Sequence, residues 1–316
     1  LNLNEKLGSN VVRAVPDDRA QTRYGWQSGL RYWSLITRGA GQQLRVEQRP
    51  DHPLRGLTDT AGVEFLKRKH RSLVARIDGA SLGLTGRLVI KEDVYPARSV
   101  ARSPFTRARV LKEFENLELL AGYGLPTVEA LACAWEGVWP FFRHTYLVTR
   151  EFENAMSLRQ WWQGGRDQSG ALSGDEVAEL LDQLMAPLAR LHREGFWVST
   201  LLSKNILVRR GPSGPEMALC DTSRVRRFGR SLHRPGAVRD LASLDKWAEG
   251  VLSDSQRMHA LERYVSALGE PGSASRWLAP IEKRRDRLRH ETPIGRLSRR
   301  SRRFAERIGL GSLWPL

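Results

Sequence analysis

Gly195-Phe196-Trp197-Val198-Ser199-Thr200-Leu201-Leu202-Ser203-Lys204-Asn205-Ile206-Leu207-Val208 stops a helical pattern at a glycine, crosses a short loop and opens an apolar run on an asparagine. On its N-terminal side residues 173–194 read as a helix, with Asp175 and Glu176 where acidic side chains favour a helix start and Gly195 where a helix ends. On its C-terminal side, short strands over residues 206–209 and 217–220 straddle the turn Gly211-Pro212-Ser213-Gly214-Pro215. The second strand, Met217-Ala218-Leu219-Cys220, ends in Asp221, sixteen residues after Asn205.

An amide heading one short strand and a carboxylate ending the next are the two metal-holding groups of a kinase-type phosphoryl-transfer site, and the quoted stretch reads as a kinase catalytic loop. That pattern sets an aspartate base five residues before the asparagine. Five residues before Asn205 stands Thr200, so Val198-Ser199-Thr200 replaces the His-Arg-Asp triplet. The metal ligand of the pattern is kept and the base is not.

The N-terminal half supplies the cation and carboxylate that such a site needs on its phosphates. Strands are expected over Ser72-Leu73-Val74-Ala75-Arg76-Ile77 and Arg87-Leu88-Val89-Ile90-Lys91, a hairpin-like pair. Lys91 then ends a strand, where a kinase puts the lysine that reaches the phosphates. A lysine at a strand end is ordinarily only a solvated charge, and a glutamate on a helix a surface one. Here, though, a helix over residues 106–123 follows, with Val110, Phe114, Leu117 and Leu120 at spacings of three and four, and it offers Glu113 or Glu115 to orient Lys91. Lys91, Glu113, Asn205 and Asp221 support one another by their order. The loop Asp78-Gly79-Ala80-Ser81-Leu82-Gly83-Leu84-Thr85-Gly86 lacks the G-x-G-x-x-G spacing, and fits both a phosphate cover and a plain turn.

Further strands are expected near residues 129–135 and 145–149, a helix over 157–163, and mainly helices from Val238 onward. The fold class is therefore α+β, a bilobal protein-kinase-like fold with a small antiparallel β lobe carrying one helix and a larger helical lobe. The expected divisions are residues 1–60 as a polar, irregular extension with one helix around 24–35, 61–152 as the first lobe, 153–282 as the second, and 283–316 as a basic tail.

With 316 residues, 41% of them hydrophobic, the chain can bury a substantial core. The longest apolar candidate for a membrane span, residues 124–142, is interrupted by Glu129 and Glu136. Cys133 and Cys220 are too few for a disulfide framework and sit in apolar runs, which points to buried thiols in a reducing compartment. No targeting segment is visible, and the chain begins at Leu1. The net charge of +16 attracts phosphate-rich polymers or anionic lipid head groups. Half of that excess lies between Lys283 and Arg307, where eleven basic residues face three acidic ones. A membrane-surface helix, a solvated tail and a nucleic-acid arm all fit this run. Ile294, Leu297, Phe304, Ile308 and Leu310 favour the first over the last, so nucleic acid is the weaker partner reading. The ten tryptophans, Trp161, Trp162 and Trp197 among them, fit core packing by default and sugar stacking as the alternative.

In series, Leu88-Val89-Ile90-Lys91, Lys112-Glu113-Phe114, Gly124-Leu125-Pro126-Thr127, Tyr146-Leu147-Val148-Thr149, Leu191-His192-Arg193-Glu194-Gly195-Phe196, Asn205-Ile206-Leu207-Val208, Asp221-Thr222-Ser223-Arg224-Val225-Arg226 and Arg239-Asp240-Leu241-Ala242-Ser243-Leu244 resemble the lipopolysaccharide kinase (Kdo/WaaP) family over about residues 70–250. Those kinase-fold enzymes phosphorylate sugars of the lipopolysaccharide inner core in Gram-negative bacteria. The resemblance implies that Lys91 binds ATP phosphates with Glu113 as partner, and that Asn205 and Asp221 hold Mg2+. It implies that Arg150, Glu151 and the residues to Glu153 form the adenine hinge, and that Asp240 braces the catalytic loop. It also implies a lipopolysaccharide core or related envelope glycan precursor as acceptor, and a cytoplasmic site of action peripheral to the inner membrane, with the Lys283 to Arg307 run on its anionic surface. Thr200 departs from the family pattern. Two readings follow: an ATP-dependent sugar kinase, and a pseudokinase acting as scaffold or nucleotide sensor in envelope biogenesis.

Overall fold

The computed structural model describes residues 15–17, 21–28, 31–38, 54, 56–59, 62–101, 108–138, 141–164, 172–199, 201–227, 233–248 and 252–290. Its strands are β1 (Val15–Asp17), β2 (Gln21–Ser28), β3 (Arg31–Arg38), β4 (Glu64–Lys69), β5 (Ser72–Asp78), β6 (Arg87–Val94), β7 (Ala130–Val138), β8 (Phe141–Arg150), β9 (Met156–Ser157), β10 (Phe196–Val198), β11 (Ile206–Gly211), β12 (Gly214–Leu219) and β13 (Val225–Arg227). Its helices are α1 (Ala97–Val100), α2 (Arg109–Gly122), α3 (Leu158–Trp162), α4 (Gly174–Arg193), α5 (His233–Ala248), α6 (Asp254–Leu268) and α7 (Ala274–His290). Two compact units result, Leu1–Leu172 with Lys204–Val225, and Ser173–Ser203 with Arg226–Leu316.

The first unit is built on an eight-stranded sheet in the order β1-β2-β3-β7-β8-β6-β5-β4, with every pairing antiparallel. One face packs Leu35, Ala75, Ile77, Leu88, Ile90, Tyr146 and Val148 against Leu54, Leu82 and Leu84. The other packs Ile36, Cys133 and Leu147 against Val110, Phe114 and Leu117 of α2. Because β7 is covered on both faces, its first five residues, Ala130-Leu131-Ala132-Cys133-Ala134, are all buried and apolar rather than alternating. The small side chains among them leave room for α2. That helix ends in a Schellman motif: Gly124 takes φ 80°, and the N–H groups of Leu125 and Gly124 close on Leu120 and Ala121. In a separate three-stranded sheet, β11 pairs with both β12 and β9. The Cys220 N–H bonds the Asn205 carbonyl, which ties the two expected metal-holding segments together.

Residues 24–35 form no helix. Gln21–Ser28 and Arg31–Arg38 are antiparallel strands, and β3 continues onto β7, so this part of the expected irregular extension belongs to the sheet. The reason is local: Tyr24, Trp26, Tyr32 and Trp33 are strand-favouring aromatics, and the segment lacks a helical apolar stripe. Strand β4, not expected from sequence, carries six exposed residues and so has no buried alternation to reveal it. The glycines of the 79–86 loop serve the turn. A side chain at Gly79 would lie 2.5 Å from the Gly86 carbonyl, and Gly83 and Gly86 have φ of 73° and 78°.

In the second unit, α4 packs on α6 and α5 on α7. Ser173 and Glu176 cap α4 reciprocally, which fixes the start that the acidic residues indicated. Leu180, Leu184, Leu188 and Leu191 of α4, Leu261 and Val265 of α6 and Trp277 of α7 are buried. No described helix is long and apolar enough to cross a membrane.

Candidate active site

Lys91 lies on the α2 face of the sheet, paired with Val74 on one side and Leu147 on the other. Its Nζ donates to Glu113 Oε2 at 2.7 Å and stands 3.6 Å from Asp221 Oδ1. Of the two glutamates expected to serve it, Glu113 is the one that reaches it; it sits one residue before Phe114 on the buried stripe of α2 and is 3% exposed. Burial works against the Lys91 ammonium, but the charge and hydrogen bond of Glu113, with the Asp221 charge beyond, outweigh it and raise its pKa above the ordinary value. Burial likewise pushes the Glu113 carboxyl upward, against the pull of Lys91. The result is an oriented cation whose partner is held almost out of water.

Asp221, two residues past the end of β12, adopts φ 51°, a left-handed conformation uncommon for a residue with a side chain. Its carboxylate is partly exposed and lies 3.4 Å from Arg109 Nη2, which also contacts Ser223 Oγ at 3.4 Å. Asn116 donates to the Thr222 carbonyl at 2.7 Å and fixes the segment from the α2 side. Asn205 is buried at the head of β11. Cys220, between these groups, is an inert thiol, its pKa pushed up to about 12 by burial and then by the Asp221 and Glu113 charges.

Glu151 shares this face. Its Oε1 accepts from Arg76 Nε at 2.6 Å, Arg76 also pairs with Glu64, and Glu151 Oε2 is buried without a hydrogen-bond partner among the described residues. Arg150 points the other way: it pairs with Leu88 of the opposite face and donates to Glu129 Oε2 at 2.7 Å and to the Thr85 carbonyl at 2.8 Å. The structure thus brings Lys91, Glu113 and Asp221 together, puts Glu151 on the same face, and turns the Arg150 side chain away. Arg76, Arg109 and Asn116 escaped the sequence reading because an arginine or asparagine outside a motif looks like any solvated residue.

Within the second unit, Asp240 is fully buried. Its Oδ2 accepts the Val198 N–H and lies 3.2 Å from His192 Nε2, whose Nδ1 lies 2.8 Å from the Tyr264 hydroxyl. Burial pushes the Asp240 carboxyl upward, with the His192 and Val198 hydrogen bonds opposing it. Thr200 lies outside the described residues, as does the basic run beyond His290.

The lipopolysaccharide kinase (Kdo/WaaP) family model matches residues 95–264, just over half of the chain. The chain belongs to the lipopolysaccharide kinase (Kdo/WaaP) family. Glu113, Glu151, Asn205, Asp221 and Asp240 fall inside the region that carries this membership, while Arg76 and Lys91 precede it. Among solved structures, the chain is similar to WaaP in complex with acyl carrier protein, at 16% identity and a TM-score of 0.51 over 72% of this chain and 89% of that one. The fold is accordingly kinase-like, an antiparallel β region followed by a helical one. No curated protein matches the chain.

Proposed function

We propose that this lipopolysaccharide kinase family member binds Mg·ATP and transfers the γ-phosphate to a sugar hydroxyl of the lipopolysaccharide inner core at the cytoplasmic face of the inner membrane. One observation carries the reading: an ammonium group bonded to a buried glutamate at 2.7 Å with a partly exposed aspartate carboxylate 3.6 Å away. Such a set fits magnesium and phosphate, since the carboxylate remains open to a cation and the lysine is held charged. Lys91 would neutralise phosphate oxygens, Glu113 would aim Lys91, and Asp221 with Asn205 would hold Mg2+. Bound Mg·ATP supplies the transferable phosphoryl group and the metal charge that stabilises it. Glu151 is proposed for the base end of the nucleotide, because its unpartnered Oε2 is an acceptor on the same face. Arg150 would contribute its backbone alone, and Asp240 would brace the loop through the Val198 N–H. The lobes of this reading take in β1–β3 with the first and all of α7 with the second, so the extension and the tail are shorter than 1–60 and 283–316.

Thr200 favours a second reading. A threonine hydroxyl cannot take up the proton of an acceptor hydroxyl as a carboxylate does, and a missing general base lowers rate by roughly 10²- to 10⁴-fold. A nucleotide-binding pseudokinase in envelope biogenesis would keep Lys91 and Asp221 and need no base. The test is γ-phosphate transfer to purified lipopolysaccharide core by the full chain, Lys91→Ala, Asp221→Asn and Thr200→Asp. The kinase reading expects slow transfer that is lost in the first two variants and rises in the third. Transfer unaffected in Lys91→Ala and Asp221→Asn sinks it, and no transfer by any form, Thr200→Asp included, favours the pseudokinase.

A further inference from the structure

Residues Glu64 to Arg71, strand β4 and the turn that follows, are all exposed. They include Phe65 and Leu66, 43% and 47% exposed, and the unbroken basic run Lys67-Arg68-Lys69-His70-Arg71. The Arg68 guanidinium lies over the Phe65 ring at 5.1 Å, and none of the five basic residues forms an ion pair with a described carboxylate. β4 ends the sheet order, and the register shift between Phe65 and Lys67 sets Leu66 in a bulge. Cations and a bulge on an edge strand are ordinary protection against edge-to-edge pairing. Protection does not call for an exposed phenylalanine and leucine beside them.

The pairing register extends this patch. Lys69 pairs with Ser72 and Ser72 with Asp93, while Val94 pairs with His144 and Val138 with Phe141. The His70-Arg71 turn and the β7–β8 hairpin tip therefore lie at the same end of the sheet. Val138 and Phe141 at that tip are 49% and 37% exposed, so four of the six exposed large apolar residues among the described ones fall on this edge and end. Arg143 and Tyr95 line a hollow there with His70 and Arg71.

We infer that this edge and end of the sheet, Phe65 to Arg71 with Val138 and Phe141, is a docking surface for an anionic lipid bilayer. A cluster of cations that neutralises phosphates, beside large apolar side chains that enter the acyl boundary, is the composition of an interfacial anchor. Leu66 and Val138 have no π-face to stack on a nucleic-acid base, which favours lipid over a polynucleotide. Lys91 stands three residues before Val94, whose N–H bonds the Arg71 carbonyl, so about 10 Å of strand separates it from the His70-Arg71 turn. On the reading that Lys91 serves ATP, the surface holds the site beside a membrane-borne acceptor.

The test is co-sedimentation of the full chain with phosphatidylcholine vesicles and with vesicles about one-third phosphatidylglycerol, with Mg·ATP affinity measured on the same proteins. The wild type is expected to bind the anionic vesicles alone, and less at high salt. Phe65→Ser with Leu66→Ser, and separately Arg68→Glu with Lys69→Glu, are expected to weaken that binding at least about tenfold while the wild-type melting temperature and ATP affinity persist. Vesicle binding unchanged in both double variants overturns the inference and leaves attachment to another surface, such as the basic C-terminal run. Unchanged vesicle binding with lowered ATP affinity in Arg68→Glu/Lys69→Glu overturns it too, and makes the turn a nucleotide-phosphate clamp. Duplex DNA bound more tightly than anionic vesicles, and lost in the same variants, replaces lipid with nucleic acid. Failure of the nucleotide reading would appear separately, as absent ATP affinity in the wild type.

Discussion

A charged lysine bonded to a nearly buried glutamate is costly to break from one side. In Lys91→Met the Glu113 carboxylate loses its partner while still 3% exposed, and an unpaired buried charge typically costs about 3–5 kcal/mol. The loss depends on pH with a definite sign. Burial already holds the Glu113 pKa above its ordinary 4.5, and the folded protein therefore binds a proton there more tightly than the unfolded chain does. Without Lys91 the folded value climbs further, so the variant should be closest to wild type near pH 4.5 and fall behind as pH rises through that window. Melting curves of the two proteins from pH 4.5 to 8 check this; a constant gap would mean that Glu113 is neutral or solvated. Lys91 and Glu113 were legible in the sequence because a lysine closing an apolar run and a glutamate beside a core phenylalanine stand in that order, although the strand itself runs on past Lys91 to Val94. Glu151 was legible only in part and Arg76 not at all: the segment around Glu151 could be read as a hinge, but the pairing across 75 residues depends on the β5–β6–β8 register. Nothing local to Arg76 encodes it.

Elements with one buried face and strong ends were the ones the sequence located well. The α4 start at Ser173 and the α2 stripe of Val110, Phe114 and Leu117 follow from capping and from apolar spacing. β2, β3 and β4 were not found. The first two carry aromatics without the clean alternation of a half-buried strand, and β4 buries nothing. A different kind of packing, also invisible in sequence, appears at Gly236 of α5. A Cβ there would lie 2.8 Å from Trp197 Cγ and 3.0 Å from Trp197 Cβ, the stiff base of the side chain rather than its far end. Arg239 covers the same ring at 5.0 Å. Helix propensity favours alanine over glycine by about 1 kcal/mol, while overpacking costs roughly 1–3 kcal/mol. Because the Trp197 base cannot swing aside, Gly236→Ala should lower the melting temperature despite its propensity gain. A rise in thermal denaturation would show that β10 yields and that Trp197 is not held against α5.

For the molecule as a whole, membership of the lipopolysaccharide kinase family and a kinase-like fold rest on different stretches of evidence, a family match over residues 95–264 and a likeness spanning 72% of the chain. The α+β order, a β region followed by helices, could be read from the alternation of strand and helix signals before either. The size of the sheet could not, since three strands come from residues 15–38 and join only through the β3–β7 pairing, a contact about a hundred residues long that no local pattern announces. Both lines of evidence leave the chemistry to the few groups gathered at Lys91. Calorimetric titration of the full chain with Mg·ATP, with Lys91→Ala and Asp221→Asn alongside, therefore bears on the whole account without any choice of acceptor. Magnesium-dependent binding that both substitutions abolish is the expected result. Heat of binding that is absent in the wild type, or that survives unchanged in both variants, would contradict it.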